Sequence, residues 1–207
     1  LSTAKNAVIV GDLKQLPNVI TTENRNIIEE ISKKYKIEKN YDYLQHSFLE
    51  SVKETIISVP TTLLREHYRC HPKIIQFCNK KFYDDQLIIM TEDKGEEDVL
   101  KAYITSEGNH ARGHLNQRQI DVIKKEVMPE LYEKVETNNI GIISPYRKQK
   151  DQIQKTLETD LKIDTVHKFQ GREEEAIIIT TVDNEISEFV DDPKMLNVAV
   201  TRAKKYL

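Results

Sequence analysis

Apolar positions along the chain follow two rhythms. Short unbroken or alternating runs mark strands: Ala7-Val8-Ile9-Val10, Thr61-Thr62-Leu63-Leu64, residues 99–105, residues 139–144 with Ile140-Gly141-Ile142-Ile143, residues 163–166, and the stretch from Ala176 to Val182. Between them apolar residues recur every three to four positions. Ile27, Ile28, Ile31 and Tyr35 predict a helix within 21–40, and a second follows over 42–52. Pro72 suits the first turn of a helix reaching about Tyr83. Ile120, Ile123 and Val127 predict a helix over 116–131, and helices are also expected over 146–157 and 193–205. From about residue 61 strands and helices alternate, which predicts an α/β fold with a mainly parallel sheet and helices on both faces. Residues 176–182 suit a strand covered on both sides. Function in such a sheet gathers at the C-terminal ends of the strands, so the polar clusters are expected there.

Charge and composition narrow this picture. The net charge is −3, so any contact with nucleic acid needs a local basic groove rather than a global basic field. Two cysteines, Cys70 and Cys78, give no disulfide framework and fit a reducing interior. No apolar run approaches the ~20 residues of a membrane span, so no membrane contact is expected and a cytoplasmic location is. The chain starts at Leu1 with no leader pattern, and both ends are expected to be cuts in a longer protein.

Five clusters carry candidate chemistry. Gly11-Asp12-Leu13-Lys14-Gln15-Leu16-Pro17 puts an acceptor and an amide at the end of a buried run; the amide can orient a water against a phosphate, or the segment is a plain capped turn. In Arg65-Glu66-His67-Tyr68-Arg69-Cys70-His71-Pro72, arginine offers fixed donors to a phosphoryl group. A metal site from His67, Cys70, His71 and Cys78 is the alternative, but its spacing matches no common zinc pattern. In 140–149 a strand ends in Ser144, Tyr146, Arg147 and Lys148, which can hold a phosphate and stack a base, or are a solvated helix start. The segment 164–173 is polar between two buried runs, where a site is more common than a spacer. In the last, residues 196–204, Arg202 lies on a predicted helix among small apolar neighbours.

Taken in order, these clusters resemble motifs III, IV, IVa, V and VI of the superfamily 1 helicases, within the 5′-to-3′ branch typified by the nonsense-mediated-decay helicase and the immunoglobulin mu-binding helicase. Gly-Asp-x-x-Gln-Leu-Pro, Tyr-Arg-x-His-Pro, Phe-Gln-Gly-Arg-Glu and Asn-Val-Ala-x-Thr-Arg-Ala carry the likeness, from Val8 to Lys205. The resemblance implies a RecA-like P-loop NTPase fold. It places residues 1–17 at the end of a first RecA-like domain, 18–60 in a helical connection, and 61–207 in a second RecA-like domain. Gln15 would then sense the γ-phosphate and its attacking water, beside Asp12. Tyr68 would stack on adenine. Arg69 and Arg202 would act as arginine fingers, Glu173 would bind the ribose, and Gly171 would allow close backbone approach. Ser144, Tyr146, Thr165 and His167 would face single-stranded DNA or RNA. Cys70 stands where the family often has methionine, and Gln119 where a glutamate is common.

The phosphate-binding loop is the missing part. A Gly-x-x-x-x-Gly-Lys-Ser/Thr run is needed for nucleotide and Mg²⁺. Gly108 and Gly113 have its spacing, but His114 and Leu115 follow them, so the lysine and the hydroxyl are absent. ATP and Mg²⁺ are expected to serve a full-length protein, with none bound by this chain alone, whose partner would be the other RecA-like domain. A binding module that kept the fold without the motor is the alternative. Residues 7–10 would belong to the absent sheet and are expected to lack strand partners here.

Overall fold

In a computed structural model, described over residues 5–106, 108–157 and 161–207, the chain divides into two compact units, Leu1–Leu64 and Arg65–Leu207. The first unit is built from local signals. Thr21 caps helix α1 (Thr22–Tyr35), and Lys36 ends it in a left-handed conformation. A 3-10 turn (Lys39–Tyr41) follows, and Ser47 and Glu50 form a capping box at the start of α2 (Phe48–Thr55). The apolar stripe of α1 is mostly exposed: Ile27 and Tyr35 are 55% and 67% exposed, and Ile28 is half-buried. Residues 7–10 form no strand, and Val8 is 91% exposed, because no neighbouring strand supplies the hydrogen bonds that would hold one.

The second unit carries the sheet. Strand β1 (Glu66–His67) pairs in parallel with β2 (Ile88–Ile89), and between them α3 (Pro72–Phe82) is capped by His71. The strand expected over 61–64 is absent; Leu63 and Leu64 are exposed, and pairing begins only at Glu66. Asn116 caps a continuous helical stretch in three parts: α4 (Gln117–Val122), a π-turn (Ile123–Val127) and α5 (Met128–Tyr132). The main sheet then forms from β3 (Ile140–Ser144), β4 (Lys162–Thr165), β5 (Glu174–Ile179) and β6 (Ala203–Tyr206), in the order β4-β3-β5-β6 and parallel throughout. Helices α6 (Arg147–Leu157), α7 (Val166–Phe169) and α8 (Pro193–Val200) connect them.

Both faces of the sheet are covered, as the α/β RecA-like reading requires. Ile140, Ile142, Ile163 and Ala176 join Ile120, Ile123, Met128 and Ile153 in one core. The opposite face of β3 meets α7 at Gly141, where an added Cβ would lie 2.7 Å from Phe169 Cζ. Two expectations change. Residues 99–105 form no strand; Val99 and Lys101 each make one backbone hydrogen bond to Leu207, too few to build a ladder. The last helix stops at Val200 rather than running to Lys205, and the chain turns at Thr201 into β6. Arg202 therefore lies in a turn and not on a helix.

Candidate functional site

Register in a parallel sheet decides which residues can meet. β3 and β4 align Ser144 with Thr165, so those two residues share the C-terminal edge. Tyr146 and His167 follow two residues later on each chain segment. β5 and β6 align Glu174 with Ala203, and Glu174 N–H donates to Arg202 C=O at 3.0 Å. Glu173 and Arg202 thus enter their strands side by side at the N-terminal edge. Four to six residues per strand separate the two edges by roughly 15 Å. The polar clusters therefore do not all fall at C-terminal strand ends. Segment 164–173 is split, because α7 carries the chain across the sheet and delivers Gly171, Arg172 and Glu173 to the other edge. Gly171 has φ +84°, a turn that glycine takes without strain.

At the N-terminal edge three cations gather around one carboxylate. Glu173 accepts from Lys204 Nζ at 2.8 Å and lies 3.5 Å from Arg69. Lys204 foremost holds the Glu173 carboxyl below the usual range. Arg202 is 3% exposed and donates to Val198 C=O, Arg172 C=O and the Thr201 hydroxyl at 3.0, 3.2 and 3.1 Å. Burial first, and the charge of Arg69 second, lower its pKa. Tyr68 is 66% exposed, and its hydroxyl donates to Glu66. Lys204 was not among the expected site residues; its place two residues after Arg202, on the strand beside Glu173, emerges only with β6.

His67 supports this corner. Its Nε2 accepts from Cys70 N–H at 2.9 Å, and burial, then Arg69, push its pKa down from 6.5 to about 4. The folded state thus resists a proton that the unfolded state takes readily. Stability is complete above pH 6.5 and is lost as pH falls toward 4. At pH 5 the wild-type chain should be about 2 kcal/mol less stable than at pH 7 through this residue. Urea unfolding of wild type and His67→Gln at both pH values checks this: an equal loss in both proteins would remove His67 as the cause.

One group of the described residues has the spacing of a cation site: His71, Asp93 and Glu96. His71 Nε2 is buried and lies 3.4 and 3.5 Å from the two carboxylates. Its Nδ1, however, accepts from Lys73 N–H at 3.1 Å, which places the ring proton on Nε2. A cation needs a lone pair there, so the triad reads as an N–H lying near two acids without a hydrogen bond to either. The alternative set of His67, Cys70, His71 and Cys78 does not come together as a ligand group among the described residues, and His67 Nε2 already accepts Cys70 N–H.

At the C-terminal edge Ser144 is turned inward. Its hydroxyl is buried, donating to Tyr146 C=O and accepting Tyr146 N–H. Tyr146 donates its hydroxyl to Asp183 at 2.6 Å, and its ring lies between His114 and Phe189, with centroids 4.2 and 5.5 Å away. Thr165 is half-buried and His167 exposed. A buried amide network underlies this edge. Asn116 Nδ2 donates to Val182 C=O at 2.9 Å, and Gln119 Oε1 accepts Val182 N–H at 3.0 Å. They grip a β-branched residue at φ +69°, a conformation that costs about 1–3 kcal/mol and needs such support. Gln119 also donates to Thr181 Oγ1, which an ionised glutamate could not do. In the other unit, Gln15 Nε2 donates to Asp12 at 2.9 Å, and Asp12 also accepts Lys14 N–H.

A family model described as AAA domain matches residues 44–207. The chain belongs to this AAA domain family. Its curated relatives are helicases by name, which makes it a helicase-family domain. It is 28% identical over 228 residues to an "Uncharacterized ATP-dependent helicase" of Methanocaldococcus jannaschii, covering 97% of this chain and 31% of that protein. It is 26% identical over 242 residues to the "DNA polymerase alpha-associated DNA helicase A" of Saccharomyces cerevisiae, covering 97% and 33%. It is 30% identical over 225 residues to the "Probable helicase senataxin" of Mus musculus, covering 95% and 8%. The chain spans about a third or less of the length of these relatives. No described helix is long and apolar enough to cross a membrane.

Proposed function

We propose that residues 65–207 act as the second RecA-like domain of an ATP-dependent, single-strand-translocating helicase. One observation carries this reading: the parallel register sends Glu173 and Arg202 to one edge of the sheet and Ser144 and Thr165 to the other. Three cations around a single carboxylate leave an excess of positive charge at the first edge, suited to phosphate. In this reading Arg69 and Arg202 meet the γ-phosphate, Glu173 the ribose, Gly171 the approaching nucleotide and Tyr68 the adenine. Thr165 and His167 meet the backbone of single-stranded DNA or RNA, and Ser144 shapes that edge from beneath. ATP and Mg²⁺ require a phosphate-binding loop on a second RecA-like domain, and closure of the two domains would drive stepping.

The chain alone should bind a fluorescein-labelled single-stranded 12-mer, more weakly as salt rises, and should not hydrolyse ATP·Mg²⁺ above a buffer control. Turnover by the chain alone that is abolished in Glu173→Gln would contradict the proposed division of labour, and absence of oligonucleotide binding at low salt would remove the strand role.

A further inference from the structure

Beside the strand edge lies an open cavity of about 690 Å³, lined by residues of the 108–114 loop and by Asp183, Asn184 and Glu185. That volume is in the range of small-ligand sites. The walls are tied together. Asn184 Oδ1 accepts both His110 N–H and Ala111 N–H, at 3.0 and 2.9 Å, and Asn184 Nδ2 donates to Asn109 at 2.7 Å. Asp183 accepts Tyr146 O–H and Ser187 O–H at 2.6 and 3.1 Å. The loop and the 183–185 segment are therefore joined before any ligand arrives. This joined frame holds His114 at φ +64°, with its ring against Tyr146.

Tyr146 was the expected stacking residue, yet its ring already lies between His114 and Phe189. The exposed ring that also lines the cavity is His114. We propose that this cavity takes one unstacked nucleobase of the bound single strand, with His114 as its stacking wall. This rests on the strand-binding reading above and adds a base subsite to it. The chemistry of the lining selects a base over a phosphate. Asp183 and Glu185 repel an anion, whereas their carboxylate oxygens accept the N–H donors of a base edge. A phosphate has its own neighbour in Lys148, whose Nζ would lie 3.3 Å from a Cβ at Gly113, next to His114. Base and phosphate of one nucleotide thus find complementary groups at the same loop.

The test uses the 207-residue chain and single-stranded DNA 12-mers carrying 2-aminopurine at successive positions, with affinity read separately by polarisation of a labelled 12-mer. Wild type should quench 2-aminopurine at one position. His114→Ala should weaken binding roughly ten-fold and restore that fluorescence, in line with loss of one base–aromatic stack. His114→Phe should bind within about two-fold of wild type. If wild type binds but His114→Ala matches it and no position is quenched, the base subsite is wrong and strand binding stands. If His114→Phe fails like His114→Ala, His114 acts by shaping the loop and the subsite is overturned. If wild type binds no 12-mer, both readings fall.

Discussion

Arg202→Ala is expected to destabilise the chain by about 3–4 kcal/mol, a large share of the stability of an ordinary domain. The guanidinium is 3% exposed, and its donors meet Val198 C=O, Arg172 C=O and the Thr201 hydroxyl. Alanine would take one donor from Val198 C=O, which keeps the Thr201 hydroxyl at 3.3 Å, and the guanidinium donor from the part-buried Arg172 C=O, and would open the space beneath the α8–β6 turn. A carbonyl left unsatisfied costs about 1–3 kcal/mol, and the lost packing of the arginine stem adds to that. Arg202→Lys should recover only part of the loss, because an ammonium cannot copy the fork that reaches acceptors on three residues. Urea unfolding of the three proteins reads this directly. A loss below about 1 kcal/mol for Arg202→Ala would mean that those hydrogen bonds contribute little net stability. The same geometry bears on the finger role proposed for Arg202. Arg69, with its side chain 35% exposed, faces the open side of the cluster, while Arg202 is committed to its own turn. Three of its five N–H groups are used internally, so direct contact between Arg202 and a γ-phosphate falls to the remaining two, one on each terminal nitrogen.

Much of the fold was legible because β3 is a buried apolar strand, β5 ends in an apolar run and α3 opens with proline in its first turn. Elements decided by partners elsewhere were not. Ala203-Lys204-Lys205-Tyr206 follows α8 after only two residues, with no glycine or proline to mark the turn, so β6 read as helix. Residues 61–64 read as a short strand and 99–105 alternate, but a strand forms only beside a neighbour with matching register. The polar clusters were legible as clusters, and their distribution was not. Segment 164–173 looked like one loop, while α7 makes it a crossing that serves two edges. The hold of Asn116 and Gln119 on Val182 was hidden because a positive φ at valine contradicts local preference and exists only where tertiary hydrogen bonds impose it. Tyr146 was legible as an aromatic at a strand end, but the rings on either side of it come from residues 32 positions before and 43 after.

Gly141 shows how closely the crossing is built into the sheet. A Cβ there would lie 2.7 Å from Phe169 Cζ, 2.8 Å from Ile177 Cδ1 and 3.1 Å from Glu174 Cγ, and Phe169 is fully buried. A glycine inside a strand marks such a close approach. Gly141→Ala must push Phe169 aside and should cost about 1–2 kcal/mol, and Gly141→Val about 3 kcal/mol, since two more methyl-sized groups enter a filled core. Part of that cost should be recovered in Gly141→Ala combined with Phe169→Leu, where the smaller side chain vacates the space; additive losses in the double variant would show that Phe169 is not the obstacle. The displacement should also be felt at both edges. Phe169 ends α7, which follows Thr165 and carries His167 on one side and leads to Gly171 and Glu173 on the other. At a urea concentration where Gly141→Ala remains folded, oligonucleotide affinity should fall along with stability. A variant destabilised by the same amount at Met128, in the core on the other face of the sheet, should keep its affinity. Equal affinities for the two variants would mean that α7 transmits nothing between sheet and strand edge.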